Sequence, residues 1–354
     1  MTDMTGRSST ARRAPLRRRI GWMFAALVAA NAAAWGWAFA LFHAQPLMLG
    51  TALLAWGLGL RHAVDADHIA AIDNVTRKLM QDGQRPIAVG LWFAIGHSAI
   101  VLVAAVAIAL TAGALSQFGA FKQAGGVIAT AISALFLFTI AAMNLIILRS
   151  VWRTFATVRA GGRHVADDLD LLPGNGGLIA RLFRPLFRMV TRSWHMAPLG
   201  FLFGLGFDTA TEVAILGLSA SQAADGLSIG IVLVLPILFA AGMALVDTAD
   251  GVVMLGAYEW AFVKPIRKLY YNIVITLMSA VVAIAIGGIE TLALLGTKLG
   301  LTGGIWNAAA GLGENFNGLG FAIIALFVAC WVISFIVYRW KRFDEIELRQ
   351  AAEG

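Results

Sequence analysis

The chain has 354 residues, of which 59% are hydrophobic and 13% charged, with a formal net charge of +7 and a single cysteine, Cys330. A soluble domain carries about 25% charged residues, so a soluble globular fold is excluded, as is any disulfide or thiolate cluster within one chain. The apolar residues fall in continuous runs of about twenty, enough to cross a hydrocarbon core of about 30 Å, and not in the alternating pattern of a membrane β-barrel.

An all-α, polytopic membrane protein with eight transmembrane helices is therefore expected. After a basic tail (1–19), the spans are Ile20–Phe42, Pro46–Ile72, Pro86–Thr111 and Gly126–Leu148, then Ala197–Ser221, Ser228–Phe262, Tyr270–Leu295 and Gly318–Tyr338. They form blocks at 20–149 and 197–338, separated by a loop at 150–196 and followed by a tail at 339–354. The apolar run of the first span is longer than the 7–15 residues of a signal-peptide core, so it reads as a retained helix. The sixth span is long for one straight crossing and is expected to overrun the membrane or to kink near Gly251.

Twenty-four of the 27 Lys and Arg residues fall in the two tails and in the connections after the even-numbered spans. Only Lys122 and Lys298 lie on the other side, and Arg61 lies inside a span. This bias places both termini in the cytoplasm and accounts for the basic charge without nucleic acid. In the long loop, Asp167 through Gly177 reads as a linker. Leu178–Val190, with Arg181, Arg184 and Arg188, suits either a basic helix on the anionic leaflet or a solvated loop.

Ionisable residues inside apolar spans are rare and mark function. The second span holds Arg61-His62-Ala63-Val64-Asp65-Ala66-Asp67-His68. At about 100° per residue, His62, Asp65 and His68 share one helix face, whereas Asp67 falls about 140° from His62. Joint use of His62 and Asp67 requires an unwound helix there, which Gly57 and Gly59 make cheap, or else an indirect role for Asp67. Arg61, four residues before Asp65, is placed to pair with it.

The third span adds Gly96-His97-Ser98. The fifth carries Asp208, Thr209, Thr211 and Glu212, with Asp208 and Glu212 at i and i+4; the sixth carries Asp247, Thr248 and Asp250. Paired carboxylates on one helix face need a shared proton, a cation or a counter-charge. Together these residues make a negative, imidazole-lined cavity suited to a divalent transition metal rather than an alkali or alkaline-earth ion. Asn31, Asn144 and Asn272 read as hydrogen-bonding links between helices. Gly-Leu-Gly precedes the polar cluster in both the second span (Gly57–Gly59) and the fifth (Gly204–Gly206). The two spans run in opposite directions, the pattern of an inverted repeat of two four-helix halves.

These motifs make the sequence similar to the nickel/cobalt transporter family of secondary permeases. The family's His-x4-Asp-His matches His62, Asp67 and His68; its Gly-His-Ser matches Gly96, His97 and Ser98. Its Leu-Gly-Phe-Asp-Thr-Ala-Thr-Glu matches Leu205 to Glu212, and its Gly-Met-x3-Asp-Thr-x-Asp matches Gly242 to Asp250. The resemblance implies high-affinity uptake of Ni²⁺, and also Co²⁺, through a bacterial cytoplasmic membrane to supply metalloenzyme assembly. It implies metal ligation by His62, Asp65, Asp67, His68, His97, Asp208, Glu212, Asp247 and Asp250. Arg61, Asn31, Val64, Ser98, Thr209, Thr211 and Thr248 would support them, and Val64 with Asn31 is similar to nickel-preferring members.

Two alternatives fit less well. Export on the same scaffold goes with a His-rich cytoplasmic loop, and here that region has only His164 and His195. A membrane metalloenzyme would need His-Glu-x-x-His or a larger histidine set than the six in the chain. No enzyme activity, resident cofactor, nucleic-acid partner or ATPase subunit is expected. The metal is substrate, the bilayer is the solvent, and no phosphate-binding Gly-x4-Gly-Lys-Ser/Thr occurs.

Overall fold

The computed structural model describes residues 5–110, 114–159, 190–206, 210–224, 226–261 and 265–340. No strand occurs among them. In chain order the helices are α1 (Thr5–Phe42), α2 (Pro46–His62), α3 (Ala66–Gln81), α4 (Val89–Leu110), α5 (Ala114–Arg159) and α6 (Met196–Phe203). They continue with α7 (Ala210–Ala224), α8 (Ile229–Val232), α9 (Val234–Ala261), α10 (Pro265–Leu299), α11 (Gly304–Glu314) and α12 (Phe316–Trp340). One-turn 3-10 segments precede α6 (Ser193–His195) and follow it (Gly204–Gly206).

Six continuous segments are long and apolar enough to cross a membrane: Leu16–Phe42, Val89–Leu110, Val127–Arg153, Ile229–Glu259, Tyr270–Leu299 and Gly318–Val337. A seventh crossing arises if α2 and α3, bent by 51° at a short break, form one span. The expected second span is thus broken, and it runs on as helix past Ile72 to Gln81. The expected fifth span arrives in pieces, as α6, a 3-10 turn and α7. Eight continuous spans are therefore not seen among the described residues.

Helical geometry continues through Gly251, so no break falls there. The interruption is at Leu233, between α8 and α9. Pro236 has no N–H to offer the carbonyl of Val232 four residues back, and the helix restarts.

Helix α9 is central, packing against α2, α4, α1 and α3; α5 lies along α10, α6 against α4, and α12 flanks α3. Lipid is as apolar as the side chains it surrounds, so close packing of small residues holds such helices together. Ala38, Ala52, Ala55, Ala94 and Ala105 supply that packing. Two glycines of α4 set its contacts. A Cβ on Gly90 would run into the backbone carbonyl of Asp247 in α9, and one on Gly96 into the carbonyl of Ala197 in α6. Bulky apolar side chains of α1 and α12, among them Trp22, Phe39, Phe321 and Ile333, point outward. This is the surface expected to meet lipid.

Helix α3 is unusual: every residue from His68 to Leu79 is buried. Arg77 and Lys78, which the sequence places in a cytoplasmic connection, are enclosed by protein. Lys78 Nζ donates to the Val190 carbonyl.

Candidate metal site

The site forms where α2 stops. The chain turns through Ala63–Asp65, with Val64 N–H on the Arg61 carbonyl and Asp65 N–H on that of His62, and Asp65 takes an extended conformation before α3 begins. This break sets His62, the last residue of α2, against His68 in the first turn of α3. Helix α4 contributes His97 and the start of α7 contributes Glu212.

The three imidazoles form a near-equilateral triangle, with ring centroids 4.7 Å (His62–His68), 4.9 Å (His62–His97) and 4.8 Å (His68–His97) apart. His62 Nε2 and His97 Nε2 approach to 2.9 Å, and His97 Nε2 lies 2.9 Å from Glu212 Oε1. That oxygen is 3.9 Å from His62 Nε2. Two ring nitrogens this close need a proton or a cation between them. One ligand nitrogen from each histidine lies within 4.8 Å of the others. An ion with metal–nitrogen bonds near 2.1 Å spans at most about 4.2 Å between opposite ligands. The three nitrogens therefore already lie close to the spacing that one such ion requires. Burial is nearly complete, with relative exposures of 1% (His62), 0% (His68), 2% (His97) and 1% (Glu212).

Two further carboxylates stand behind the imidazoles. Asp65 Oδ2 is 2.8 Å from His62 Nδ1, and Asp247 Oδ1 is 3.2 Å from His68 Nδ1. A carboxylate on one ring nitrogen fixes the tautomer and raises the donor strength of the other. His68 Nε2 is buried with no hydrogen-bond partner, as are Asp247 Oδ2, Ser98 Oγ and Thr248 Oγ1. A buried polar atom left unpaired costs about 1–3 kcal/mol, and an ion accepting the His68 lone pair removes that cost. Phe93, edge-on to His68 at 4.8 Å, and Phe239, 5.5 Å from His62, wall the site with apolar rings.

The other sequence candidates separate. Asp67 Oδ1 accepts the His68 N–H at 2.9 Å. Arg61 is exposed, and the Asp65 carboxylate is engaged by His62 instead. Asp250 Oδ2 is buried without a partner one turn beyond Asp247. Val64 lies in the turn after α2, its carbonyl packed against Gly320 of α12. Asn31 ties α1 to its neighbours, accepting from Trp56 Nε1 at 2.9 Å and donating to the Ala241 carbonyl at 3.1 Å. Asp208, Thr209 and the Thr211 side chain lie outside the described residues.

Sequence reading passed over Phe93 and Phe239, whose aromatic type carries no signal on its own. It also passed over a buried polar group on α3 (Asp73, Asn74 and Arg77), although their spacing puts them on one side of the helix.

A helical bundle with several helices apolar enough to cross a membrane, enclosing three histidines and a glutamate, defines a polytopic membrane protein with a buried group of side chains that could hold a metal ion. Comparison with known proteins gives this class a family. The sequence model of the high-affinity nickel-transport protein family, NicO, matches residues 48–337, and the chain belongs to that family. It is 60% identical to the high-affinity nickel transport protein of Cupriavidus necator over 94% of this chain and 95% of that one. It is 55% identical to the hydrogenase nickel incorporation protein HupN of Bradyrhizobium diazoefficiens (90% and 83%). The cobalt transport protein NhlF of Rhodococcus rhodochrous is 42% identical over 80% of this chain and 81% of that one. No solved structure matches.

Proposed function

We propose that the protein is a secondary permease that carries Ni²⁺, and Co²⁺ less readily, into the cell through the cytoplasmic membrane, with both termini in the cytoplasm. The observation that carries this reading is the buried convergence of His62, His68 and His97 with Glu212. Imidazole and carboxylate suit Ni²⁺, Co²⁺ and Zn²⁺ and discriminate against Mg²⁺ and Ca²⁺. The preference for nickel follows the relatives, since the nickel-named protein of Cupriavidus necator is 60% identical and the cobalt-named one 42%.

In this reading His62, His68, His97 and Glu212 bind the ion, while Asp65 and Asp247 orient the histidines and supply negative charge. Asp67 holds the first turn of α3, and Asp250 flanks the path. Helices α6 and α7 together make an eighth, broken crossing opposite the α2–α3 break. That arrangement supports an inverted repeat, with residues 20–149 and 197–338 as its halves and 1–19, 150–196 and 339–354 on the cytoplasmic side. A divalent ion entering a cell at 100 mV, negative inside, gains about 4.6 kcal/mol, so ATP is not required.

The test is uptake of radiolabelled Ni²⁺ by cells expressing the chain, with Co²⁺, Zn²⁺, Mn²⁺ and Mg²⁺ as competitors. Saturable uptake inhibited most strongly by unlabelled Ni²⁺ and then Co²⁺ is expected. Uptake inhibited equally by Mg²⁺ would refute the imidazole site.

A further inference from the structure

The metal site leaves unused a second buried polar group, lower on α3. Both carboxylate oxygens of Asp73 are engaged, one by the hydroxyl of Tyr258 from α9 and the other by that of Ser279 from α10 at 2.8 Å. Arg77, four residues on, is 1% exposed. Its Nη1 donates to Thr276 of α10 at 3.0 Å and its Nη2 to Asn74 at 3.4 Å, while its Nε has no partner. Among the described residues it forms no ion pair. Asn74 also accepts from Asn144 of α5 at 2.8 Å. Thr276 donates to Asn272, which accepts in turn from Gln81 at the end of α3.

These side chains fasten α3 to α5, α9 and α10, five to thirteen residues beyond His68. At 1.5 Å per residue that is about 7–20 Å along the helix. A link between helices needs only neutral groups. A buried guanidinium whose neighbouring carboxylate, Asp73, is bonded to two hydroxyls instead of to it is costly in a low-dielectric interior, so packing alone does not explain it. Placed across the route of a cation, a fixed positive charge is an electrostatic barrier.

We propose that Asp73, Arg77, Tyr258, Thr276 and Ser279 are the gate between the metal site and the cytoplasm, closed in the arrangement seen here. Opening parts α3 from α10 and frees the guanidinium from Thr276. Arg77 then swings onto Asp73, its i−4 neighbour, which removes the barrier and exposes a passage lined by hydroxyl and amide groups. The gate rests on the import reading above, in which α3 ends at the cytoplasmic face.

Cysteine accessibility tests it. In a Cys330→Ser background, Thr276→Cys is placed in inside-out and right-side-out vesicles and treated with a membrane-impermeant thiol reagent, with and without Ni²⁺ supplied on the extracytoplasmic side. We expect labelling from the cytoplasmic face, at least tenfold faster during Ni²⁺ transport. Leu137→Cys, in the apolar contact between α5 and α10, should stay unlabelled. If Thr276→Cys does not reach the membrane, Ser279→Cys carries the same measurement. An unreactive cysteine in vesicles that transport Ni²⁺ overturns the gate. Labelling from the outer face alone overturns its cytoplasmic assignment, and failure of the parent protein to move Ni²⁺ overturns the transport reading separately.

Discussion

Asp247→Asn separates the ion's ligands from the groups that aim them. Asp247 is fully buried, one oxygen 3.2 Å from His68 Nδ1 and the other unpartnered. The amide keeps the volume and removes the charge. If its oxygen faces His68, the ring keeps its proton on Nδ1 and Nε2 stays available, but as a weaker donor. If its NH₂ faces His68, the proton moves to Nε2 and the ligand is lost. Removing a carboxylate that orients a ligating histidine typically weakens metal affinity 10–100-fold, or about 1.4–2.7 kcal/mol. Half-saturation for Ni²⁺ uptake should therefore rise at least tenfold. The thermal midpoint of the purified protein should not fall, since the amide can keep the contact with His68 and, among the described residues, no Lys or Arg pairs with Asp247. The assay is initial-rate uptake over a Ni²⁺ series, normalised to membrane protein, beside a melting curve. Unchanged half-saturation with a folded variant would refute the role of Asp247 at this site.

Replacing His62, His68 or His97 singly with alanine should abolish uptake while leaving protein in the membrane; near-parent uptake in any one removes that residue from the ligand set. Uptake affinity should fall as the medium is acidified, because protons compete with the ion for the same ring nitrogens. The measurement is half-saturation from pH 5 to 8, and a flat profile would count against histidine ligation. Gly96→Ala drives a methyl into the Ala197 carbonyl, and overpacking of this kind costs about 1–3 kcal/mol. The thermal midpoint should drop and uptake with it, whereas an unchanged midpoint would mean that α4 and α6 move apart freely.

The legible part of this protein is where charge and lipid conflict. Arg61 through His68 stands out because a membrane interior tolerates few ionisable groups. The angular mismatch between His62 and Asp67 left either an unwound helix or an indirect role for Asp67, and the structure has a break at Ala63–Asp65. The break brings His68 to His62, and Asp67 Oδ1 accepts the His68 N–H. The pairing of His97 with Glu212, 115 residues apart, has no local signature. The burial of Arg77 was not legible for a physical reason. Positive residues just past an apolar run normally mark a cytoplasmic loop, and only the packing of α5, α9 and α10 around α3 shows that this one is enclosed.

The position of the break bears on how a tight site can also release its ion. At a given association rate, each tenfold gain in affinity lengthens residence on the site tenfold. A permease that captures trace metal therefore needs ligands that can come apart together. His62 ends α2 and His68 lies in the first turn of α3, on either side of a three-residue turn between helices bent by 51°. A rotation at that turn separates two of the three imidazoles at once without unfolding either helix. On α3 the same rotation displaces Asp73 and Arg77, because residues 66–81 form one continuous helix. Capture at the histidines and opening beneath them are thus linked through a single rigid element, and a longer, more flexible turn would bind and release independently. Inserting two glycines after Val64 should uncouple them: some metal binding by purified protein would survive while uptake is lost. If uptake also survives, α3 does not act as the lever.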